Sequence, residues 1–185
     1  PLEDTMASHI VASFEAELQQ LNALVVDMGA LVCGQISEAS DALRTHDTRH
    51  AEKVVASDKT VDSLHRRIAD QVIQIIARRT PVAIDLRQVI ATLKIATDLE
   101  RMGDLAKNNA KRVTAIEAAN RPAHIGANLD VMSERVAEQV SDVMQAFARR
   151  DRASVLPPNR NCCGHPEWAD NLENGLLLEA ALLIA

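Results

Sequence analysis

The chain has 185 residues, a formal net charge of −6 and 47% hydrophobic residues. This length and apolar content are sufficient for one full hydrophobic core or two small ones. An acidic balance without clustered Lys and Arg argues against a nucleic-acid-binding protein, because phosphate backbones are bound by basic patches. The aromatic residues are Phe14, Phe147 and Trp168, and a core made mainly of Ala, Leu, Val and Ile is typical of long packed helices.

The sequence also indicates the cellular compartment of the protein. It has no stretch of about 20 apolar residues, so no transmembrane helix is predicted. The first residues lack a basic region followed by an apolar run, which argues against a secretory signal. Cys33, Cys162 and Cys163 are odd in number and two of them are adjacent, which is a poor basis for disulfides. We therefore predict a cytoplasmic protein.

The first helix is predicted from about Ile10 to about Arg44, and Pro1–Thr5 are placed outside the fold. Its apolar positions alternate steps of four and three residues, which is the spacing of one helix face. Gly29 and Gly34 each cost up to about 1 kcal/mol relative to Ala, but they do not end the helix. The length indicates a helical bundle, with an inward face formed by Phe14, Leu18, Leu21, Val25, Met28 and Val32.

The second helix begins after a short turn, with Asp47 as the predicted N-cap. It ends at Arg78 and Arg79, whose charges are favourable at a helix C-terminus. Asp58 and Asp62 lie four residues apart and are therefore neighbours on one helix face. The inward face is predicted to contain Val54, Val55, Val61, Leu64, Ile68, Val72, Ile75 and Ile76.

The third helix is predicted to start with Thr80 as its N-cap and Pro81 in the first helical position, and to run to about Ala119. Short turns between three long helices predict an up-down-up bundle. We expect one stripe of the third helix to face the core, where an unpaired carboxylate is costly unless a positive group meets it. The stripe starts apolar and ends acidic, and consists of Leu86, Ile90, Leu93, Thr97, Glu100, Asp104 and Asn108.

After Pro122 the sequence repeats itself with a shift of 104 residues. A generic helical pattern explains matching apolar positions but not matching polar ones, so we interpret the pattern as a tandem duplication. The predicted domains are a three-helix bundle at 6–120 and the first helix of an incomplete second repeat at 121–151. The matches pair Val25 with Leu129, Met28 with Met132, Val32 with Val136, Gln35 with Gln139, Ser37 with Ser141 and Asp47 with Asp151.

The second copy stops before it reaches its acidic positions. The last part of the chain contains Pro157 and Pro158, through which a helix cannot run. We interpret 152–185 as an aberrant tail, a frameshifted or substituted end. The fourth helix, about Ala123 to Arg149, then lacks the partner helices of a second repeat. Burial is worth roughly 1.5–3 kcal/mol per apolar residue, so we expect a homo-oligomer or an exchange between protomers that covers Ile125, Leu129, Met132, Val136, Val140, Val143 and Phe147.

Two pairs of acids suggest that the bundle binds a metal ion. Asp58 and Asp62 on the second helix, and Glu100 and Asp104 on the third, are each four residues apart, and like charges at that spacing repel. Two such pairs in one bundle favour a bound cation, and Asn108, one turn further on, offers a carbonyl oxygen. Oxygen ligands favour hard or borderline ions such as Mg²⁺, Mn²⁺, Ca²⁺ or iron over thiolate-bound zinc.

Two other interpretations stay open at this point. The acids also fit a solvated helix face, and the chain would then be a purely structural helical oligomer. A carboxylate-bridged metalloenzyme is the second, although such bundles usually carry Glu-x-x-His pairs and the residue three positions after Glu100 is a glycine. Basic residues close enough in sequence to pair with the acids are Lys59, Arg66, Lys94 and Arg101.

Several separated motifs occur in one order along the chain. They are VDMGALVCGQ in the first helix, SDKTVD in the second, and RRTPVAIDLRQVIATLKIATDLERMGDLAKN leading into and through the third. Together they resemble the PhoU family, the regulators of phosphate uptake. The resemblance spans about Ile10 to Arg150 and covers the first family repeat and the first helix of the second.

The resemblance implies an all-α protein with a three-helix-bundle repeat that normally occurs twice. It implies a metal-binding Glu/Asp-x-x-x-Asp signature, matched here by Glu100 and Asp104, with Asp58 and Asp62 at the acidic positions of the preceding helix and Asp98 beside the signature. Iron or zinc is the metal implied, so the candidate ions are Fe, Zn, Mg or Mn. The chain lacks the second signature, so the resemblance does not extend to a second metal site.

The resemblance also implies a role. Proteins of this family are non-enzymatic adaptors at the cytoplasmic side of the membrane. They link the phosphate ABC transporter to a sensor histidine kinase and restrain the phosphate-starvation response. The expected partners of this chain are therefore those two proteins and further copies of itself.

Overall fold

The computed structural model describes the backbone of residues 2–118 and 126–149 and the side chains of residues 12–116 and 131–149. It contains four helices, α1 (Leu2–Thr45), α2 (Thr48–Arg79), α3 (Ala83–Ala118) and α4 (Gly126–Arg149). The described residues form no β-strand. The prediction of an all-α fold of long helices is confirmed. The predicted tail at 152–185 lies outside the described residues.

Helix α2 has the predicted bounds, whereas α1 is longer than predicted. The side chain of Asp47 accepts a hydrogen bond from the His50 backbone N–H at 3.0 Å, which makes Asp47 the N-cap of α2 as expected. Helix α1 begins at Leu2 rather than near Ile10. Since neither Gly nor Pro interrupts the first ten positions after Pro1, nothing in the local sequence stops the helix from extending.

The prediction that Thr80 caps the start of α3 was wrong. Thr80 is the C-cap of α2, with φ 43° and ψ 54°, and its backbone N–H donates to the Ile76 carbonyl at 3.0 Å. The α-helical region is disfavoured for a residue that precedes proline, so Thr80 leaves the helix there. Helix α3 then starts at Ala83, two residues after Pro81.

The first three helices form the predicted up-down-up bundle. Helix α2 runs antiparallel to α1, because Arg79 at its end meets Ser13 near the start of α1, while Ser57 meets Gln35. Helix α3 runs antiparallel to α2 in the same way, since Asp58 and His65 of α2 contact Lys107 and Thr97 respectively. Helices α1 and α3 are therefore parallel neighbours.

The apolar face predicted for α1 forms the centre of the core. Leu21, Val25, Met28 and Val32 are at most 1% exposed. From α2 the core receives Val61, Ile68, Val72 and Ile75, all from the predicted inward face. Phe14 lies at its margin and is partly buried.

The stripe of α3 that was expected to face the core lies at the edge of the bundle. Leu86 and Ile90 are 37% and 39% exposed, and Thr97 and Asn108 are also exposed. A neighbouring stripe is buried instead, and its many small residues allow α3 to approach α1 and α2 closely. That stripe consists of Val89, Thr92, Ile95, Ala96, Leu99, Met102, Gly103, Ala106, Ala110 and Val113. The acidic end of the predicted stripe therefore borders the core rather than lying within it.

Helix α4 packs antiparallel against α1, on the side away from the bundle partners α2 and α3. The Ser133 hydroxyl donates to the Ser40 hydroxyl oxygen at 2.6 Å, and the Cys33 thiol lies 3.7 Å from the Ala137 carbonyl oxygen. At Gly29 the helices approach so closely that a Cβ would lie 2.6 Å from Cγ of Met144. Helix α1 is thus covered on two sides.

The expectation that the apolar face of α4 lacks a partner within the chain was wrong for its second half. Val140, Val143 and Phe147 are between 4% and 7% exposed because α1 covers them. Met132, nearer the start of the helix, remains 41% exposed. The side chains of Ile125 and Leu129 lie outside the described residues. Formation of a homo-oligomer stays a prediction.

The segment Ala12–Thr45 of α1 is the one described helix that is long and apolar enough to cross a membrane by length and composition. The expectation that no such segment exists is corrected. The apolar residues of this segment form the bundle core, and a core helix meets the same criterion.

Removal of the Phe147 side chain tests the contact between α4 and α1. We expect Phe147→Ala to lower the free energy of unfolding by about 3–5 kcal/mol, because the side chain is 4% exposed and leaves a cavity. Met132→Ala on the exposed part of the same helix is the matched control and should cost less than about 1 kcal/mol. Urea denaturation followed by circular dichroism measures both. Equal, small effects would show that α4 does not dock on α1.

Candidate functional site

The four acids predicted as metal ligands come together where α2 and α3 lie side by side. Asp58 and Asp62 come from α2, and Glu100 and Asp104 come from α3. The pKa of the Glu100 carboxyl is raised, first by desolvation and then by the negative charges of Asp104, Asp62 and Asp58, with His65 acting in the opposite direction. We call these four acids the acidic patch. The two predicted pairs thus lie in one region of the α2–α3 contact.

Burial differs strongly within the acidic patch. The side chain of Asp58 is 7% exposed, whereas that of Asp104 is 44% exposed. Asp62 and Glu100 are half-buried. An ionised carboxylate as buried as Asp58 needs a positive partner or several hydrogen bonds, because desolvation of an unpaired charge is costly.

Lys107 of α3 is the positive partner. Its ammonium group donates to Asp58 Oδ2 at 2.6 Å and also to Asp104 Oδ1. These two hydrogen bonds, the one to Asp104 first and the one to Asp58 second, raise the pKa of Lys107 well above its ordinary value. Lys107 is therefore a fixed internal cation that joins an acid of α2 to an acid of α3.

Lys107 was missed as a partner by the sequence reasoning. The nearer basic residues considered there are used otherwise: Arg101 lies 3.9 Å from Asp98, and Arg66 donates through Nε to the backbone carbonyl of Asp62 rather than to its carboxylate. The available signal was that Lys107 lies three residues after Asp104, on the same helix face.

A neutral oxygen lies beneath the acidic patch. Gln35 of α1 is 4% exposed, and its Nε2 donates to Ser57 Oγ at 3.0 Å. Its Oε1 is buried and has no hydrogen-bond partner among the described residues. A Cβ placed on Gly103 would lie 3.1 Å from this oxygen and 3.8 Å from Asp58 Oδ1. The missing side chain at Gly103 therefore leaves a carbonyl oxygen and a carboxylate oxygen facing the same small space.

His65 of α2 borders the acidic patch. Its Nε2 lies 3.3 Å from Thr97 Oγ1, and the Thr97 hydroxyl donates to the Leu93 carbonyl at 2.9 Å. Because that hydroxyl has used its proton, His65 Nε2 is the donor of the pair. The imidazole thus adds a polar group to the site, anchored on α3.

The side-chain arrangement holds an ammonium group where the sequence predicts a metal. Among the described residues, no three His, Cys, Asp or Glu side chains are arranged to hold a metal ion. Asp98 points to Arg101, and Asn108 is exposed. The oxygens of the patch are of the type that hard and borderline cations prefer, but Lys107 would have to leave Asp58 and Asp104 before both could serve as ligands. Metal ligation by the four acids stays a prediction.

Comparisons with known proteins agree on one family. A family model of the PhoU domain matches residues 25–113. The phosphate-specific transport system accessory protein PhoU homolog of Rhizobium meliloti (strain 1021) is 36% identical over 143 residues, which cover 77% of this chain and 60% of that protein. The homolog of Caulobacter vibrioides is 35% identical over 146 residues, covering 79% of this chain and 64% of that protein. The chain thus spans about three fifths of the length of these curated relatives.

Solved structures show the same fold. The crystal structure of PhoU from Pseudomonas aeruginosa superimposes with a TM-score of 0.75 at 26% identity, over 92% of this chain and 88% of that one. PhoU from Streptococcus pneumoniae, with a TM-score of 0.71 and 24% identity over 91% and 86% of the two chains, supports the fold alone. With its four-helix architecture, its matching domain and these relatives, the chain belongs to the PhoU family.

Proposed function

We propose that this chain is a regulatory adaptor of phosphate uptake that restrains the phosphate-starvation response. In this role it links the phosphate ABC transporter to a sensor histidine kinase, works in the cytoplasm or at the membrane surface, and is not an enzyme. The observation that carries the proposal is its relation to proteins named as accessory to the phosphate-specific transport system. Long helices with exposed faces suit contacts with two partners at once.

We further propose that the acidic patch binds a metal ion in exchange for Lys107. Four carboxylates against one ammonium leave surplus negative charge, and the raised pKa of Glu100 has that charge among its causes. The unpartnered Gln35 Oε1 beside Asp58 adds a neutral oxygen of a type that Mg, Mn, Fe or Zn accepts. Movement of the Lys107 ammonium away from Asp58 and Asp104 would free the oxygens of both helices for one cation.

Replacement of Lys107 tests the exchange. In chelator, Lys107→Met should lower the free energy of unfolding by about 1.5–3 kcal/mol, because Asp58 loses a charged hydrogen bond in a buried setting. The same variant should bind Mn²⁺ roughly tenfold or more tightly than the natural chain, since the competing internal charge is gone. Isothermal titration calorimetry measures the binding, and Lys111→Met, an exposed change one turn further along α3, is the matched control.

Replacement of two of the acids is the second test of the metal site. Elemental analysis of the purified chain should show metal that disappears in a Glu100→Ala/Asp104→Ala variant. If the natural chain and this variant contain equal amounts of metal, or if Lys107→Met does not increase the affinity for Mn²⁺, the assignment of the acidic patch as a metal site is wrong. A chain that folds fully in chelator and never binds metal would be a structural helical protein.

The charge on Glu100 gives a pH-dependent prediction. Its pKa is raised in the folded chain above the ordinary 4.5, so its contribution to stability is fully present below pH 4.5 and is lost as the pH rises through the folded value. In chelator, Glu100→Gln should therefore raise the melting temperature at pH 7 and leave it nearly unchanged at pH 4. Thermal unfolding at both pH values measures this, with the exposed Glu52→Gln of α2 as control. A lowered melting temperature at pH 7 would contradict surplus negative charge in the patch.

The adaptor role is tested by binding to its proposed partners. The full chain, immobilised, should retain both the transporter from solubilised membranes and the cytoplasmic part of the histidine kinase. An unrelated acidic helical bundle of similar size is the control for non-specific retention. Failure to enrich either partner above this control would contradict the link between them, whether or not metal binds to the acidic patch.

A further inference from the structure

A polar groove runs along the bundle between α1 and α2. It has a volume of about 660 Å³ and is lined from α1 by Glu17 and Gln20 and from α2 by the stretch Ser63 to Arg78. The acidic patch lies between α2 and α3, so the groove occupies a different pair of helices. Its most numerous charged side chains are arginines, in a chain whose net charge is −6.

The groove is lined by three arginines that have no direct carboxylate contact among the described residues. Arg66, Arg67 and Arg78 are exposed, and none forms an ion pair with a carboxylate of the described residues. Arg66 Nε donates to a backbone carbonyl of its own helix, and Arg78 Nη2 donates to Gln74 Oε1 at 3.3 Å. Asp70 lies between the two arginine positions without pairing with either. We call the three side chains the arginine row.

The remaining acid of the groove is already engaged. Glu17 accepts from Arg79 Nη2 at 2.8 Å and from its Nε at 3.1 Å, and this pairing lowers the pKa of Glu17. Arg79 also donates to Ser13 Oγ. Arg78 also acts on Glu17 through its charge, but since Arg79 already pairs with Glu17, the three arginines of the lining outnumber Asp70, its other acid, and the groove carries surplus positive charge.

The spacing of the arginine row selects the kind of anion. Arg66 and Arg67 lie eleven to twelve positions before Arg78, which at 1.5 Å per residue places the two ends of the row about 17 Å apart along α2. A single small oxyanion reaches one end only. An extended polypeptide with carboxylates about five residues apart reaches both.

The floor between the two ends suits a peptide backbone. Gln20 and Gln74 offer amide donors and acceptors within the groove, which match the N–H and C=O groups of a main chain. Asp70 and the paired Glu17 disfavour a uniformly charged polyphosphate. Guanidinium groups pair with carboxylates through two parallel hydrogen bonds. We propose that the groove between α1 and α2 is a docking site for an acidic segment of a partner protein, held by the arginine row at its two ends.

This inference goes beyond the proposed function, because it depends neither on metal in the acidic patch nor on the identity of the transporter or kinase. The probe is a fluorescein-labelled peptide of roughly ten residues, made of Gly and Ser apart from two glutamates about five positions apart, titrated with the full chain in chelator and followed by fluorescence anisotropy. The groove variant carries Arg66→Gln, Arg67→Gln and Arg78→Gln. The control variant carries Arg49→Gln, Arg87→Gln and Arg112→Gln, which are exposed positions outside the groove and change the net charge equally. Thermal unfolding confirms that both variants fold.

The expected result is a saturable complex that the groove variant binds at least about tenfold more weakly, while the control variant stays within about twofold of the natural chain. Photo-crosslinking from a probe at Gln20 should label the peptide. Equal weakening by both variants would overturn the proposal, because only overall charge would then matter. Displacement of the peptide by stoichiometric tripolyphosphate, or absence of any binding, would overturn it as well.

Discussion

The fold depends on α1 being packed on two sides at once. One face of α1 holds Leu21, Val25, Met28 and Val32 against α2 and α3, and another lies against α4. Close approach on the second side requires Gly29, where a side chain would meet Met144. Because every other described helix packs on α1, the position of α1 fixes where the polar sites on α2 and α3 lie.

Within that frame, one lysine organises the candidate site. Lys107 joins Asp58, which is buried, to Asp104, which is not. An internal cation of this kind lets the chain fold with acids bordering its core, because the buried carboxylate is compensated before any ligand arrives. In the proposed exchange, an incoming metal ion would have to bind the acids more strongly than the ammonium group that it replaces.

The buried helix faces could be predicted from the sequence where one periodic pattern stood alone, and the prediction failed where two patterns had the same period. The α1 face followed from unbroken steps of four and three, and Asp47 followed from N-cap chemistry. In α3 two adjacent stripes satisfy the same spacing. The prediction followed the stripe whose steps join Leu86 and Ile90 to the acids, whereas the stripe beside it, which contains Val89, Ile95 and Leu99, is the buried one. Thr80 was misassigned because a threonine before proline fits both the end of one helix and the start of another.

For the site, spacing predicted the acids but not their environment. That Asp58, Asp62, Glu100 and Asp104 share one region followed from two i, i+4 pairs on adjacent antiparallel helices. The roles of Lys107, Gln35 and Gly103 depend on how deeply α1, α2 and α3 approach one another. Depth of approach is a property of packing, which a one-dimensional pattern does not contain.

The contacts between α1 and α4 have a consequence for the origin of the chain. Under the shift of 104 residues Cys33 corresponds to Ala137, and these two residues are in contact. Ser40 corresponds to Met144 and Gly29 corresponds to Ser133. The contact of Ser40 with Ser133 is therefore equivalent to the contact of Met144 with Gly29. Exchanging α1 and α4 therefore reproduces the same pairs of contacts, as expected for a two-fold axis that passes between Cys33 and Ala137. Such self-complementarity is the mark of an isologous interface. If the predicted tandem duplication is the origin of the 104-residue repeat, a three-helix ancestor would have paired with itself through α1, and gene fusion would have turned that dimer contact into an intramolecular one.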